Sequence, residues 1–433
     1  MIPRGSGLLC FDVKVEMGTG EICTLTFHDS SALLPFSLKS ITKNFGVESM
    51  KTDWNHATSL PYMTPSMSEY NKTDCLGLHQ SITKYFNYPI IRRAGGAHTI
   101  AGQAMRVLRT KMDVEIFSLT PRIDRFVRKA YFGGRTEIFK PLFTGPGSIR
   151  CADVNSLYPT VMRNVPEVGQ VPREYPAKFS HFDFNYRPDV IGFYEAEVEV
   201  PDDMYCPPLG VVWEIDGGHK FIFPTGRFKG YWSTLELEYA KTLGVKVIRT
   251  GQGAIFEGGG NFFRRYVDDL YEIRERSERE SVDNVIAKLL LNSCYGRFGL
   301  KVNRENLVVD EGQAGIQTGA GGDGFILENS GSKIRLVKEP KVLNTFNNVA
   351  VSAWVTSASR VYMHRLYMKG LSELYYTDTD SLFTTAPFSD EKGLGGLKIE
   401  YEAAAACFFA PQNLRGGWYF GSEVPEKSDH EGV

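Results

Sequence analysis

The sequence predicts an α+β protein that combines antiparallel strand pairs with amphipathic helices. Apolar and polar residues alternate over 8–27 around a Gly-Thr-Gly turn at 18–20, the pattern of a β-hairpin. Over 30–45, 66–86 and 261–300, apolar residues recur at helical spacing instead. Of the 433 residues, 42% are hydrophobic and 12% aromatic, which suits a sizeable core and about two to three domains.

Composition excludes several classes of protein. The net charge of -2 argues against a globally basic nucleic-acid coat protein, although a local basic groove remains compatible with it. The seven cysteines form no C-x-x-C pair, which argues against a disulfide scaffold or structural zinc site and favours a reducing compartment. No apolar run reaches the length of about 20 residues that a membrane span needs, so we expect no membrane partner.

A first candidate site is D-V-N-S-L-Y-P at 153–159. The preceding residues 148–152 suit a strand, and Pro159 suits the first turn of a helix. A carboxylate at a strand end, next to exposed turn amides, can hold a divalent ion and phosphate oxygens. The same pattern also fits a buried turn in which Asp153 merely caps a helix.

A second candidate is K-L-L-L-N-S-C-Y-G at 288–296. Upstream apolar residues follow the stripe of a buried helix, and at 100° per residue Lys288, Asn292 and Tyr295 share another face. A cation, an amide and an aromatic ring side by side could hold a triphosphate and stack on a base. The alternative is an ordinary amphipathic helix with a solvated face.

A third candidate is Y-T-D-T-D-S at 376–381, between apolar runs at 371–375 and 382–383. This arrangement predicts the turn of a β-hairpin, and in an extended chain Asp378 and Asp380 would point to the same side. Two close carboxylates repel unless they are protonated or bridged by cations. Alone, the segment could be a solvated turn; with the first two candidates it supplies what two-metal phosphoryl transfer needs.

These three motifs resemble those of the family B DNA polymerases: D-x-x-S-L-Y-P, K-x-x-x-N-S-x-Y-G and Y-x-D-T-D-S stand intact and in order. The turn Y-F-G-G at 131–134 matches the family's Y-x-G-G link between exonuclease and polymerase domains. The 135 residues from Asp153 to Lys288 and the 90 from there to Asp378 resemble the protein-primed branch of phages, adenoviruses and linear plasmids. The resemblance implies a right-hand polymerase, with an antiparallel palm sheet and helical fingers, after a partial RNase H-like exonuclease domain.

By motif, the resemblance assigns roles to individual residues. Asp153, Asp378 and Asp380 would be catalytic, with Asp153, Val154 and Asp380 holding two Mg²⁺ ions, or Mn²⁺ as the alternative ion. Tyr158 would exclude the ribose 2′-OH. The nucleotide would be bound by Ser156, Leu157, Tyr158, Arg274, Lys288, Asn292 and Tyr295. DNA would be bound by Tyr131, Gly133, Gly134, Ser293, Gly296 and Thr379.

The resemblance also implies a domain order. We expect a partial exonuclease-like domain over 1–120, palm with a terminal-protein-region insertion over 121–260, and fingers over 261–302. A second insertion over 303–348, the rest of the palm over 349–415 and a thumb stub over 416–433 would follow. The expected partners are a DNA primer–template, deoxynucleoside triphosphates and a terminal protein, bound by a monomer.

Some family features are not found. Tyr70 and Asp74 match the third exonuclease motif, but no upstream D-x-E is recognisable, so we expect a remnant without proofreading. The K-x-Y motif expected after the third site reads P-Q-N-L at 411–414, and few residues remain for a thumb. We therefore expect a chain truncated at both ends.

Two other functions stay open at this stage. The chain could be a catalytically impaired remnant that only binds DNA or terminal protein, or a reverse transcriptase, which the Lys288 motif disfavours. The replicon would be a eukaryotic linear plasmid in a mitochondrion, or otherwise a virus or phage that replicates in its host cell.

Overall fold

The structure is a computed structural model. It describes residues 2–4, 7–16, 18, 22–48, 64–112, 116, 118–163, 175–176, 180–215, 218–256, 259–300, 305–310, 325–330, 333–338, 348–409 and 418–420. The P-Q-N-L segment at 411–414 and most of the expected thumb stub lie outside the described residues. No helix in the described parts is long and apolar enough to cross a membrane.

Both helices and strands occur throughout the described part of the chain. The helices are α1 (Leu38–Asn44), α2 (Pro65–Asn87), α3 (Pro89–Ala94), α4 (Ile100–Arg109), α5 (Pro121–Val127), α6 (Leu157–Arg163), α7 (Thr234–Thr242), α8 (Arg264–Arg276), α9 (Val282–Phe298) and α10 (Val349–Lys369). The first strands are β1 (Ile2–Arg4), β2 (Gly7–Glu16), β3 (Ile22–His28), β4 (Thr136–Ile138), β5 (Leu142–Phe143), β6 (Ile149–Val154), β7 (Tyr175–Pro176), β8 (Ser180–Asp183), β9 (Ile191–Val200), β10 (Val211–Ile215) and β11 (Gly218–Ile222). The later strands are β12 (Gly226–Ser233), β13 (Lys246–Phe256), β14 (Gly259–Gly260), β15 (Glu305–Asp310), β16 (Phe325–Ser330), β17 (Lys333–Lys338), β18 (Leu374–Asp378), β19 (Ser381–Thr384), β20 (Leu397–Ala403), β21 (Ala406–Phe408) and β22 (Trp418–Phe420).

A five-stranded antiparallel sheet, in the order β20-β6-β19-β18-β4, brings the first and third motifs together. Strand β6 alternates short, buried apolar residues with polar ones, and Ala152 and Val154 are fully buried. Its central place in the sheet puts Asp153 between β19 and β20. The sheet thus joins strands from two distant parts of the sequence.

A second antiparallel sheet, β12-β9-β13-β8, is formed by strands that lie between the first two motifs in the sequence. Its inner face carries Tyr194, Val198 and Trp232, all fully buried. Smaller sheets are β1-β2-β3, β10-β11, β14-β7, β15-β17-β16 and β22-β21-β5.

The largest hydrophobic core lies where α4, α8, α9 and α10 meet the central sheet. Helix α10 is the best buried: its residues from Val349 to Val361 are all buried, polar ones included. Ser281 caps α9 by accepting a hydrogen bond from the Asn284 N–H, which fixes where that helix begins. The core therefore ties the helical region of the second motif to the strands of the other two.

The local predictions outside the aspartate hairpin are largely confirmed, with two corrections. The hairpin over 8–27 forms β2 and β3, and the helix over 66–86 is α2. The helical pattern over 261–300 is confirmed as two helices, with Glu280 between them at a positive φ of 66°. The expected helix over 30–45 is shorter, because Ser30–Ala32 forms a 3-10 turn and α1 starts only after the Ser37 cap.

The second correction concerns the turn at 131–134, which the sequence predicts between two strand-like runs. It does not link two strands: a 3-10 turn, Arg128–Ala130, precedes it and β4 follows. Arg360 of α10 holds this turn by donating to the carbonyl oxygens of Phe132 and Gly133, at 2.8 and 2.9 Å. The turn is therefore positioned by the core helix and not by a β-ladder.

A buried ion pair links α10 to α7. Arg360 donates to Glu236 at 2.8 Å, and the two side chains are only 3% and 2% exposed. The hydroxyls of Ser357 and Ser233 donate to the other Glu236 oxygen, at 2.7 and 3.0 Å. Every carboxylate oxygen thus has a partner, as a buried charge requires.

We predict that Glu236→Gln destabilises the fold, because it leaves the Arg360 guanidinium buried without a counter-charge. The free energy of unfolding should fall by about 3–5 kcal/mol, measured by chemical denaturation. Glu199→Gln is the matched control, since Glu199 pairs with Lys246 at the surface. That change should stay within about 1 kcal/mol, and equal losses in both variants would contradict the prediction.

Candidate active site

The three aspartates lie at one end of the adjacent strands β6, β19 and β18 of the central sheet. Asp153 stands directly opposite Ser381 of β19 and opposite Lys398 of β20. The Val154 N–H donates to the Asp380 carbonyl oxygen at 2.9 Å, which fixes the two strand ends against each other. The first and third sequence motifs therefore form a single site.

A tight turn connects β18 to β19 and carries Asp378 and Asp380. The Asp380 N–H donates to the Asp378 carbonyl at 2.6 Å, and Thr379 between them has a φ of 54°. The expectation of an extended chain here is therefore wrong, since Thr379 lies in the left-handed region. The run over 371–375 is also only partly a strand, because Leu371–Glu373 forms a 3-10 turn.

Residues 134–136 support this turn by packing against it and by hydrogen bonds. Gly134 lies against Thr379, so close that an added Cβ would come within 2.8 Å of the Thr379 Cα. The Thr379 N–H donates to the Arg135 carbonyl at 2.9 Å. The Thr136 hydroxyl donates to the Asp378 carboxylate at 3.1 Å. The predicted DNA-binding residues Gly134 and Thr379 thus contact each other, and this contact helps to hold the turn.

Asp153 and Asp380 are poorly solvated. Burial, reinforced by the charges of Asp380 and Glu400, raises the pKa of Asp153 from 3.8 to about 7. Burial likewise raises the pKa of Asp380 to about 6, with Asp378 and Glu400 adding to it. Lys398 and Lys288 act in the opposite direction on Asp153. Two desolvated carboxylates that repel one another are an electrostatic demand for a cation.

The donor set fits an open divalent-metal site rather than a closed one. Among the described residues, no three carboxylate, imidazole or thiolate side chains cluster closely enough to hold an ion alone. Mg²⁺ commonly uses one or two protein carboxylates and takes its remaining ligands from water and substrate phosphates. Asp153 and Asp380 match that pattern, and Val154 would add a backbone carbonyl.

The turn after β6 forms a shallow cradle. Ser156 has a φ of 57°, and its carbonyl accepts from the Thr160 N–H at 2.9 Å as α6 begins. Asn155 is held by the loop before β20, through Gly396 and Gly395, at 2.9 and 3.0 Å. This bend leads directly into α6, and backbone N–H groups at the start of a helix favour anions. Leu157 itself is buried, so only its backbone could serve a ligand.

Arg274 reaches this cradle from α8, where its guanidinium donates to the Ser156 hydroxyl at 2.5 Å. The sequence also offers Arg264, Arg265, Arg276 and Arg279 as competing phosphate cations, and all four are exposed, whereas Arg274 is half-buried. Arg264 pairs loosely with Asp268, and Arg276 pairs with Glu272 on the helix surface. The structure therefore favours Arg274 among the candidate phosphate cations on α8.

An aromatic cluster lies beside the cradle. The rings of Tyr158 and Tyr295 stack with centroids 4.4 Å apart, 24° from parallel. The second motif is thereby joined to the first. Tyr131 packs against Gly299, at the end of the same helix, and burial raises the pKa of all three tyrosines. We call the stacked rings of Tyr158 and Tyr295 the aromatic wall; they lie close enough to Asp380 for its charge to act on both.

Helix α9 presents the polar face that its periodicity predicts. Lys288 and Asn292 are exposed, while Leu289, Leu290 and Cys294 are buried. Lys288 is close enough to Asp153 to lower its pKa, so the cation faces the active site. Ser293 and Gly296 are half-buried on the same helix and make no contact that distinguishes them.

Two predicted residues lie elsewhere, and two nearby residues were missed. Tyr70 and Asp74 are one turn apart on α2, which packs on α1 and α3 outside the central sheet. Lys398 and Glu400, ion-paired at 2.9 Å on β20, both act on the pKa of Asp153. Their only sequence signal is a polar alternation in a short strand; the strand register is what places them here.

Comparison with known proteins assigns the family. A family model described as DNA polymerase type B, organellar and viral, matches residues 58–363, well over half of the chain. The chain belongs to the type B DNA polymerases of organelles and viruses. This membership confirms the resemblance found in the three motifs.

The relatives of this type B chain come from fungi and phages. A "Probable DNA polymerase" of Neurospora intermedia is 30% identical over 70% of this chain and 32% of its own length. One of Ascobolus immersus is 27% identical, covering 91% and 36%. The DNA polymerase of Bacillus phage phi29 is 26% identical, covering 95% and 69%. The chain thus spans about a third of the length of the fungal curated relatives.

The solved structures support the fold. The phi29 DNA polymerase, complexed with primer–template DNA and incoming nucleotide substrates, superposes with a TM-score of 0.71 at 20% identity. The match covers 94% of this chain and 71% of that one. The predicted right-hand polymerase fold of this type B chain is therefore confirmed, while the partial exonuclease domain stays a prediction.

We predict that Asp153→Asn stabilises the metal-free protein. Because the folded-state pKa of Asp153 lies above its unfolded value, the charged form opposes folding, increasingly from pH 3.8 to about 7. In EDTA at pH 8, the variant should melt several degrees higher; near pH 4 the difference should vanish. Calorimetry measures the melting temperatures at both pH values. Added Mg²⁺ should raise the melting temperature of the wild type more than that of the variant. A variant that melts below the wild type in EDTA would contradict this.

Proposed function

We propose that this chain is a template-directed DNA polymerase that adds deoxynucleotides to a 3′-OH. The observation that carries the proposal is the pairing of β6 and β19, which places Asp153 next to Asp380. Beside this anionic pair lie a cation-bearing helix face and an aromatic wall. Family membership and the polymerase fold support the same conclusion.

Each part of the site would take a separate share of the reaction. The start of α6 and Arg274 would bind the triphosphate, with Lys288 and Asn292 facing it from α9. Tyr158 would contact the sugar, and Tyr295 the nascent base pair. Asp153 and Asp380 would hold the ions, whose charge lowers the barrier to phosphoryl transfer. Asp378, held by the Thr136 hydroxyl, would support the pair.

The DNA would be contacted by Tyr131, Gly133 and Gly134, with Ser293, Gly296 and Thr379 beside them. Primer–template DNA and nucleotides are bound by the phi29 enzyme of the structural comparison, and we propose the same ligands here. Magnesium is the proposed ion, with manganese as a substitute.

We further infer that replication is protein-primed, with a terminal protein as partner and a monomeric polymerase. The long intervals between motifs support this, and the chain folds the first of them into a sheet of its own, β12-β9-β13-β8. The second interval contains the sheet β15-β17-β16. Fungal and phage relatives support a linear replicon, in a mitochondrion or in a phage-infected cell.

We predict that Asp380→Ala and Asp153→Ala each abolish nucleotide incorporation but leave DNA binding nearly intact. Each removes a ligand of ions that act mainly in the transition state, so turnover should fall by at least about a thousandfold. Primer extension with Mg²⁺ and a gel-shift assay measure the two properties. Glu402→Gln, on the exposed end of β20, is the control and should extend normally. Near-normal extension by either alanine variant would refute the proposed function.

We predict that the Tyr158 ring selects deoxyribose. Tyr158→Val should raise ribonucleotide relative to deoxyribonucleotide incorporation, because the space beside the 2′-carbon opens. Tyr158→Phe keeps the ring and should preserve the ratio. Single-nucleotide kinetics with both sugars provide the measurement; an unchanged ratio in the valine variant would make Tyr158 a packing residue.

A further inference from the structure

Arg135 is a buried arginine next to the catalytic turn, and none of the sequence motifs includes it. Its side chain is 3% exposed. Its backbone carbonyl accepts the Thr379 N–H at 2.9 Å, so it touches the turn between the two motif aspartates directly. Its neighbours Gly134 and Thr136 contact the same turn.

The guanidinium of Arg135 points away from this turn and into the segment 206–223. It donates to the Pro207 carbonyl at 2.7 Å and to the Cys206 sulfur at 3.2 Å. It also lies 4.2 Å from the centroid of the Phe223 ring. A buried arginine with fixed donors of this kind has little rotational freedom.

Two contacts from residues just after Arg135 complete the arrangement. The Arg135 Nε donates to Glu137 at 2.6 Å, and the guanidinium lies 4.9 Å from the Phe139 ring centroid. The same segment makes a further aromatic contact: Phe221 stacks on Phe132 of the preceding turn, with ring centroids 4.7 Å apart. The segment 206–223 therefore contacts Arg135 itself and also Phe132, which lies just before the 134–136 residues that support the aspartate turn.

We propose that Arg135 is a positioning residue for the metal-binding aspartates, anchored by the segment 206–223. Its side chain fixes the position of the 134–136 backbone against the segment 206–223, and that backbone in turn positions the turn that carries Asp378 and Asp380. Sub-ångström placement of such groups affects turnover strongly, whereas nucleotide affinity depends on other elements. The inference rests on the proposed function for its kinetic readout, but ion binding tests it separately.

The experiment compares Arg135→Met, Phe223→Leu and their double variant with the wild type. Arg135→Met keeps an unbranched stem but loses the guanidinium, with its charge and donors. Primer extension gives kcat and the KM for nucleotide, and electron paramagnetic resonance of Mn²⁺ in the presence of primer–template gives ion affinity. Melting temperatures report stability. Arg150→Met, at an exposed pair with Glu402 on the same sheet, is the matched control.

We expect Arg135→Met to lower kcat about tenfold with an unchanged nucleotide KM, and to weaken Mn²⁺ binding about tenfold. Phe223→Leu should shift both in the same direction by less. The double variant should be no worse than Arg135→Met, because both changes break one path. Arg135→Lys, which keeps the charge between the rings, should recover part of the loss.

Two results would overturn the proposal. One is a lower melting temperature with unchanged kcat and Mn²⁺ affinity, which is the behaviour of a packing residue. The other is strictly additive effects in the double variant. If Arg135→Met does not fold, Phe223→Leu and Arg135→Lys carry the same test.

The two proposals fail in different ways. If the wild type extends no primer, yet Asp380→Ala and Arg135→Met both weaken Mn²⁺ binding, the polymerase assignment fails and the positioning role stands. If the wild type extends primers and the Arg135 and Phe223 variants match it, the positioning role fails alone.

Discussion

The repulsion between Asp153 and Asp380 is the constraint around which the rest of the site is arranged. Two carboxylates with restricted access to water cannot both stay ionised at low energetic cost, and burial raises the pKa of each. The sheet nevertheless forces them together, because their strands are hydrogen-bonded neighbours. Folding thus creates an electrostatic deficit that a divalent cation would remove, so the same feature weakens the fold and would serve the proposed catalysis.

The backbone around the pair shows the same tension. Among the described residues, only Ser156, Glu280 and Thr379 are non-glycine residues with positive φ, and two of them flank the aspartates. Each strained residue is held by several contacts: Ser156 by Thr160 and Arg274, Thr379 by Gly134 and Arg135. A left-handed turn at the end of each strand turns the chain away sharply, so the carboxylates stand at an open edge.

The sequence predicted the elements that carry this site better than the contacts that support them. The strand before Asp153, the helix carrying Lys288 and Tyr295, and the hairpin at 376–381 all follow from local periodicity. The stacking of Tyr158 on Tyr295 does not, because it depends on the packing of α6 against α9. Lys398, Glu400, Arg135 and Arg360 were missed for the same reason: their partners lie far along the chain, and no local pattern records a strand register or a buried ion pair.

The order of strands in the central sheet has a consequence for how the protein comes into being. Strand β6 ends at Val154, and its partner β19 begins only at Ser381, 227 residues later, so the two can pair only late in synthesis. Contacts of such long sequence separation form slowly. During synthesis, the second sheet and the α8–α9 pair can fold as units well before the aspartates meet. The proposed metal-binding centre is therefore assembled late, and a nascent chain released before β20 has left the ribosome would hold a folded scaffold without that centre.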